Sequence, residues 1–163
     1  MGHAKEARAD IAIAGDLDFA APTDSEVDLQ TGGGFGARIG YHAHIPAIVL
    51  TPEVGFSYYD FGGNYSAKVY RGIAGMRLGF GEIIRPGVFA HLGMGQLDVT
   101  GRDPDASHSA LTYDAGAFLD LTLLPLINIG VHGAYNGLNS SGESGETAAI
   151  TWGSFGAHAE LVF

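Results

Sequence analysis

Three features of this 163-residue sequence point to an all-β chain, an eight-stranded antiparallel up-and-down transmembrane β-barrel. Apolar residues recur at every second position through eight segments, the period of a strand rather than a helix. The connections alternate between short and long, as they do when hairpins are laid side by side. One phase of the alternation carries no Asp, Glu, Lys, Arg or His through the middle of each segment.

Composition narrows the class further. Only 16% of residues are charged, low against the roughly 25% usual in soluble domains. No stretch approaches the ~18 apolar residues of a spanning helix. A net charge of −10 argues against a nucleic-acid partner, because phosphate neutralisation needs clustered Lys and Arg. The absence of cysteine removes disulfides and thiolate metal sites. Residues 1–6 read as an N-terminal tail without the basic and apolar regions of a leader, so an exported protein would already have lost one. Residues 7–163 read as a single barrel domain.

The first strand, near 7–19, sets Ile11, Ile13, Leu17 and Phe19 against Arg8, Asp10, Asp16 and Asp18. The second, near 34–43, sets Phe35, Ala37, Ile39 and Tyr41 against Arg38, His42 and glycines; the preceding Gly32-Gly33-Gly34 reads as a flexible lead-in. The third (48–59) and fourth (67–81) alternate apolar residues from Ile48 to Tyr58 and from Tyr70 to Phe80 with Glu53, Arg71 and Arg77. In the fifth (87–98) and sixth (109–121), Val88, Leu92, Met94, Leu111, Leu119 and Leu121 oppose His91, Asp114 and Asp120. The seventh (127–137) and eighth (149–163) place Ile129, Val131, Tyr135, Phe155 and Leu161 opposite His132, His158 and Glu160. Short connections at 42–47, 81–87 and 122–126 each hold a proline, Pro46, Pro86 and Pro125; the longer ones fall at 20–33, 60–67, 97–110 and 138–148.

Alternation alone does not say which phase faces inward. A wet outer face would be rich in Lys, yet the chain has only Lys5 and Lys68. The polar phase instead mixes single charges with glycines such as Gly36, Gly55, Gly75, Gly116, Gly130 and Gly156, a combination suited to a narrow interior. The apolar phase then meets lipid, where a charge would cost ~2–4 kcal/mol at the midplane. Aromatic residues support this: Phe19, Phe35, Tyr58, Tyr70, Tyr113 and Tyr135 fall at the long-loop end, and Tyr41, Phe80 and Phe163 at the short-turn end. Two aromatic bands separated by aliphatics suit two membrane interfaces.

With the closing run Ala157-His158-Ala159-Glu160-Leu161-Val162-Phe163, the chain resembles the eight-stranded outer-membrane β-barrel family of Gram-negative bacteria, which includes the barrel domain of outer membrane protein A. The resemblance implies an outer-membrane location with both termini periplasmic. It also implies contact with lipid and lipopolysaccharide, and an assembly signal at Leu161 and Phe163 read by the barrel assembly machinery. His158 departs from the glycine often found at that place. The family includes anchors, adhesins, narrow pores and lipid-modifying enzymes, so architecture is implied far more closely than activity.

The lumen is where chemistry is expected. Arg38, Glu53, Arg71, Arg77, His91, Asp114, Asp120, His158 and Glu160 are the candidate residues of a charge network, since buried charges must pair or stay hydrated. The leading reading is a non-enzymatic structural or surface barrel with this network occluding the lumen, in a monomer without cofactor. The alternative is a narrow pore or small-solute channel gated by Arg38, Glu53 and Arg77. His42, His91 and His158 lie within reach of Asp120 and Glu160, residue types able to hold zinc or act as acid and base. They are read as network members, with no metal or catalytic residue assigned. A third reading is an enzyme acting on lipopolysaccharide acyl chains. The resemblance would require a Ser-His-acid set for it, and the nearest material is loop residues His108 and Ser109 with Asp103 and Asp105. The long loops are acidic, with Asp24, Glu26 and Asp28 first and Glu143 and Glu146 last. Asp24 to Asp28 resembles the start of a calcium loop, but Leu29 stands where the turn needs Gly.

Overall fold

The computed structural model describes residues 9–24, 29–45, 47–63, 66–100, 106–124, 126–141 and 147–163. They form eight strands: β1 (Ala9–Asp24), β2 (Leu29–Ile45), β3 (Ile48–Gly63), β4 (Ser66–Phe80), β5 (Ile84–Thr100), β6 (Ala106–Leu124), β7 (Ile127–Ser141) and β8 (Thr147–Val162). Each strand pairs antiparallel with its sequence neighbours, and β8 returns to β1 to close the barrel. At the seam the Ile11 N–H donates to the Phe163 carbonyl at 3.0 Å, and the Phe163 N–H donates to Ile11 at 2.8 Å. Closure leaves no backbone edge facing lipid, the condition for crossing a bilayer with strands.

The register fixes which side chains meet inside. Followed from Ala12, the pairing runs through Gly40, Glu53, Gly75, His91, Asp114, Asn136 and Trp152 and returns to β1 at Pro22. The return point lies ten residues above the start, a stagger that tilts the strands and leaves an interior just wide enough for side chains. Exposure confirms the expected phasing. Leu17 and Leu92 are 71% and 65% exposed on the outer surface, whereas Arg71 and Glu53 are 3% and 6% exposed inside. Phe35, Tyr58 and Tyr70 form part of the upper aromatic band, with ring centroids 5.4 and 5.0 Å apart along the row.

Several elements differ from expectation. The strands run further than the sequence pattern indicates, so Gly32, Gly33 and Gly34 lie within β2 rather than in a flexible lead-in. Their role is spatial: a Cβ on Gly34 would stand 2.5 Å from the Tyr59 ring, which crosses above it. Pro86 lies within β5, and the turn there is made by Gly81, at φ +106°, with Glu82 and Ile83. The connections at the long-loop end shrink correspondingly, because β1, β3, β5 and β6 extend beyond the aromatic band. Arg8, Glu26, Asp28, Asp103, Asp105, Glu143 and Glu146 lie outside the described residues.

Candidate functional site: the charged lumen

The interior has two storeys. Near the long-loop end, Tyr59, Phe61, Val69, Leu97, Val99, Leu138, Ile150 and Trp152 form a buried apolar cluster. Trp152 packs edge-on against Phe61 and Tyr59, with centroids 5.8 and 5.4 Å away. Sequence reasoning passed over this plug because it counted glycines and charges in the inward phase; the signal was present in the parity of Tyr59, Phe61 and Trp152.

Below it lies the charge network. Arg38 clamps Asp16 through Nε and Nη2, at 2.9 and 2.8 Å, and donates from Nη1 to Glu53 at 2.9 Å. The other Glu53 oxygen faces His91 Nε2 at 2.8 Å, and His91 Nδ1 faces Asp114 at 2.6 Å. His91 can donate to both carboxylates only as the imidazolium. Asp114 lies 3.4 Å from Arg71, which also donates to Ser57 and Asn136. The Arg71 guanidinium stands 5.2 Å from both the Tyr59 and Trp152 ring centroids, a cation–π contact that joins the two storeys.

A second chain of contacts crosses the opposite wall. His132 Nε2 faces Asp18 at 2.7 Å, and Asp18 also accepts from the Tyr59 hydroxyl at 3.2 Å. His158 Nε2 faces Asp120 at 2.8 Å. Arg77 approaches Asp120 at 3.6 Å and stacks 4.0 Å over the Phe118 ring, while its Nη2 has no hydrogen-bond partner. Lower down, Glu160 accepts from Asn128 at 2.7 Å and lies 3.4 Å from His42.

Cross-strand glycines make room for these pairs. His158 reaches over Gly130, its partner on β7, to Asp120 on β6; His132 reaches over Gly156 to Asp18 on β1. A Cβ on Gly130 would come within 2.7 Å of the His158 ring and 2.5 Å of Asp120. His91 reaches Glu53 over Gly75 in the same way. Between the two chains of contacts lies a chamber of about 50 Å³, bordered by Asp16, Asp18, Arg38, Glu53, His91 and His132. Its volume suits a few ordered waters, not a wide channel.

All nine candidate residues thus face the interior, and most of them meet. His91 is the exception to the expected grouping. It joins Glu53 and Asp114 rather than Asp120 or Glu160, because its row crosses the barrel above theirs. Among the expected gate residues, Arg38 and Glu53 are bonded while Arg77 belongs to Asp120. Asp16, Asn136, and Asp18 through His132 are partners beyond the nine candidates, and Arg85, a buried arginine on β5, bonds Thr122 at 3.4 Å. His108 and Ser109 fall within β6 rather than in a loop, and their proposed acids lie outside the described residues.

A closed eight-stranded antiparallel barrel with an apolar outer face and a polar interior is the fold of outer-membrane barrels, and solved structures of that kind are similar to it throughout. Neisserial surface protein A matches with a TM-score of 0.70 at 17% identity, over 96% of this chain and 99% of that one. Ail, the attachment invasion locus protein of Yersinia pestis, matches with 0.58 at 16% over 97% and 99%. The N-terminal barrel of Pseudomonas aeruginosa OprF matches with 0.56 at 15% over 96% and 100%. No protein-family model and no curated protein matches the chain.

Proposed function

We propose that this chain is an integral outer-membrane protein of a Gram-negative bacterium, monomeric, with both termini periplasmic and a structural or surface role that involves no catalysis. The observation that carries the occluded-lumen part of this reading is the apolar plug around Trp152, seated on a charge network in which Arg38, Glu53, His91, Asp114 and Arg71 follow one another in contact. Opening a water path would expose that apolar cluster and pull apart ion pairs that now hold one another out of water. Ail is known in complex with the heparin analogue sucrose octasulfate. The acidic loop residues of this chain disfavour such a polyanion and suit divalent-bridged contact with lipopolysaccharide phosphates instead.

A second reading is a narrow gated pore. It is favoured by Arg77, whose Nη2 is buried without a hydrogen-bond partner and stands 3.6 Å from Asp120. Single-channel recording of the refolded protein in planar bilayers separates the two, with Arg77→Ala and Glu53→Ala alongside. Silence in all three supports the occluded barrel. Discrete wild-type openings altered by either substitution would replace it with the pore.

A further inference from the structure

The two lumen histidines His132 and His158 face each other in a way that the charge network alone leaves incomplete. Their Nδ1 atoms are 3.2 Å apart. Each Nε2 is turned away to a carboxylate, Asp18 for His132 and Asp120 for His158, at 2.7 and 2.8 Å. A carboxylate only accepts, so both Nε2 atoms carry their protons. Turning either ring over would replace that bond with a C–H and lose it. The two Nδ1 atoms are then bare lone pairs pointing at one another, an arrangement that requires a cation between them, whether a shared proton or a metal.

Three further observations favour the metal. Asp16, directly cross-strand from His158, brings a carboxylate oxygen into the same cluster, and all three ligand atoms lie within 4.8 Å of one another. Zinc–nitrogen bonds of ~2.0–2.1 Å in tetrahedral geometry set neighbouring ligand atoms about 3.3 Å apart, close to the 3.2 Å between the two Nδ1 atoms. The Asp18–His132 and Asp120–His158 pairs reproduce the carboxylate–histidine arrangement that orients metal-binding imidazoles and raises their basicity. Asp16 also accepts from Arg38, but each of its oxygens keeps a second lone pair. Asp16 and His132 both border the 50 Å³ chamber, from which a water can supply a fourth ligand.

We propose that Asp16, His132 and His158 form a lumen site for a divalent transition-metal cation of the zinc class, with His132 and His158 binding through Nδ1.

Cobalt(II) is the probe, because a tetrahedral nitrogen–oxygen site gives it intense visible absorption that hexa-aqua cobalt lacks. The whole protein is refolded into detergent micelles with Co²⁺ present, so that entry through a closed lumen is not required, and excess metal is then removed. The expected result is one tightly held Co²⁺ per chain with a tetrahedral spectrum, displaced by Zn²⁺. His132→Ala and Asp16→Asn should abolish the spectrum, and Asp120→Asn should weaken binding roughly tenfold to a hundredfold. His44→Ala, at the periplasmic end and outside the cluster, should leave it intact. Absence of stoichiometric cobalt from folded wild-type protein overturns the site and leaves the shared proton. Wild-type affinity in folded Asp120→Asn and Asp16→Asn overturns it equally. Loss of the metal site would leave the barrel's proposed structural role untouched.

Discussion

Glu53 is the residue on which the network turns, because it stands between two cations, Arg38 and His91, and is only 6% exposed. Replacing it with Gln keeps the shape and removes the charge that both partners need. Removing one member of a buried pair typically costs about 3–5 kcal/mol, and because Arg38 keeps Asp16 and His91 keeps Asp114 the loss here falls at the lower end. We therefore expect Glu53→Gln to lower the unfolding free energy of the refolded barrel by about 3 kcal/mol, read from urea titration in detergent. A loss below ~1 kcal/mol would mean that water, not Arg38 and His91, solvates this carboxylate. Arg71 makes a related test, since its planar guanidinium both bonds Ser57 and Asn136 and lies against Tyr59 and Trp152. Lysine supplies the charge without the fork or the stacking plane. Arg71→Lys should accordingly destabilise by about 1–2 kcal/mol in the same titration.

At the scale of the strand, the informative contrast lies between two glycines of β4. Gly72 faces outward, and a Cβ there would meet nothing within 4 Å; Gly75 faces inward, where a Cβ would fall 2.1 Å from the Ala90 carbonyl and 2.6 Å from the His91 ring. Gly72→Ala should change stability by less than ~0.5 kcal/mol, while Gly75→Ala should cost several times more, measured side by side in urea. The reverse order would mean that the phasing is inverted, and equal effects that the space around Gly75 does not limit the barrel. This phasing was legible in the sequence, since the alternation of Leu, Ile and Val with Arg, Asp and Gly carries it. Strand length was less legible: Tyr59, Phe61 and Val69 continue the alternation past the lipid-facing belt, but neighbouring Gly and Asp read as loop. Least legible was the pairing of lumen partners. That His91 meets Asp114 directly across β5 and β6, while His158 meets Asp120 over Gly130 of β7, depends on the registers of the hairpins from β5 to β8, and a one-residue slip at one of them would turn a whole set of side chains to the other face.

For the whole molecule, closure and biogenesis pull on the same C-terminal residues and can be separated. Phe163 shares two backbone hydrogen bonds with Ile11 at the seam, and these survive any side-chain change. Its ring is 62% exposed on the outer surface, so truncation removes a lipid anchor and no lumen contact. If Leu161 and Phe163 are read by the assembly machinery, Phe163→Ala should refold in micelles with near-normal yield yet accumulate poorly in the outer membrane of cells. Folded yield is followed by the difference in gel mobility between unboiled and boiled samples, which a closed barrel resistant to detergent produces. Poor refolding in micelles would assign Phe163 to barrel stability instead. Normal accumulation in cells would place the assembly signal elsewhere along β8. The outcome bears on the fold itself, because a barrel closes only when its last strand finds its first. A residue that contributes its backbone to the seam and its side chain to recognition would let the cell test the closing strand before the lumen network forms behind it.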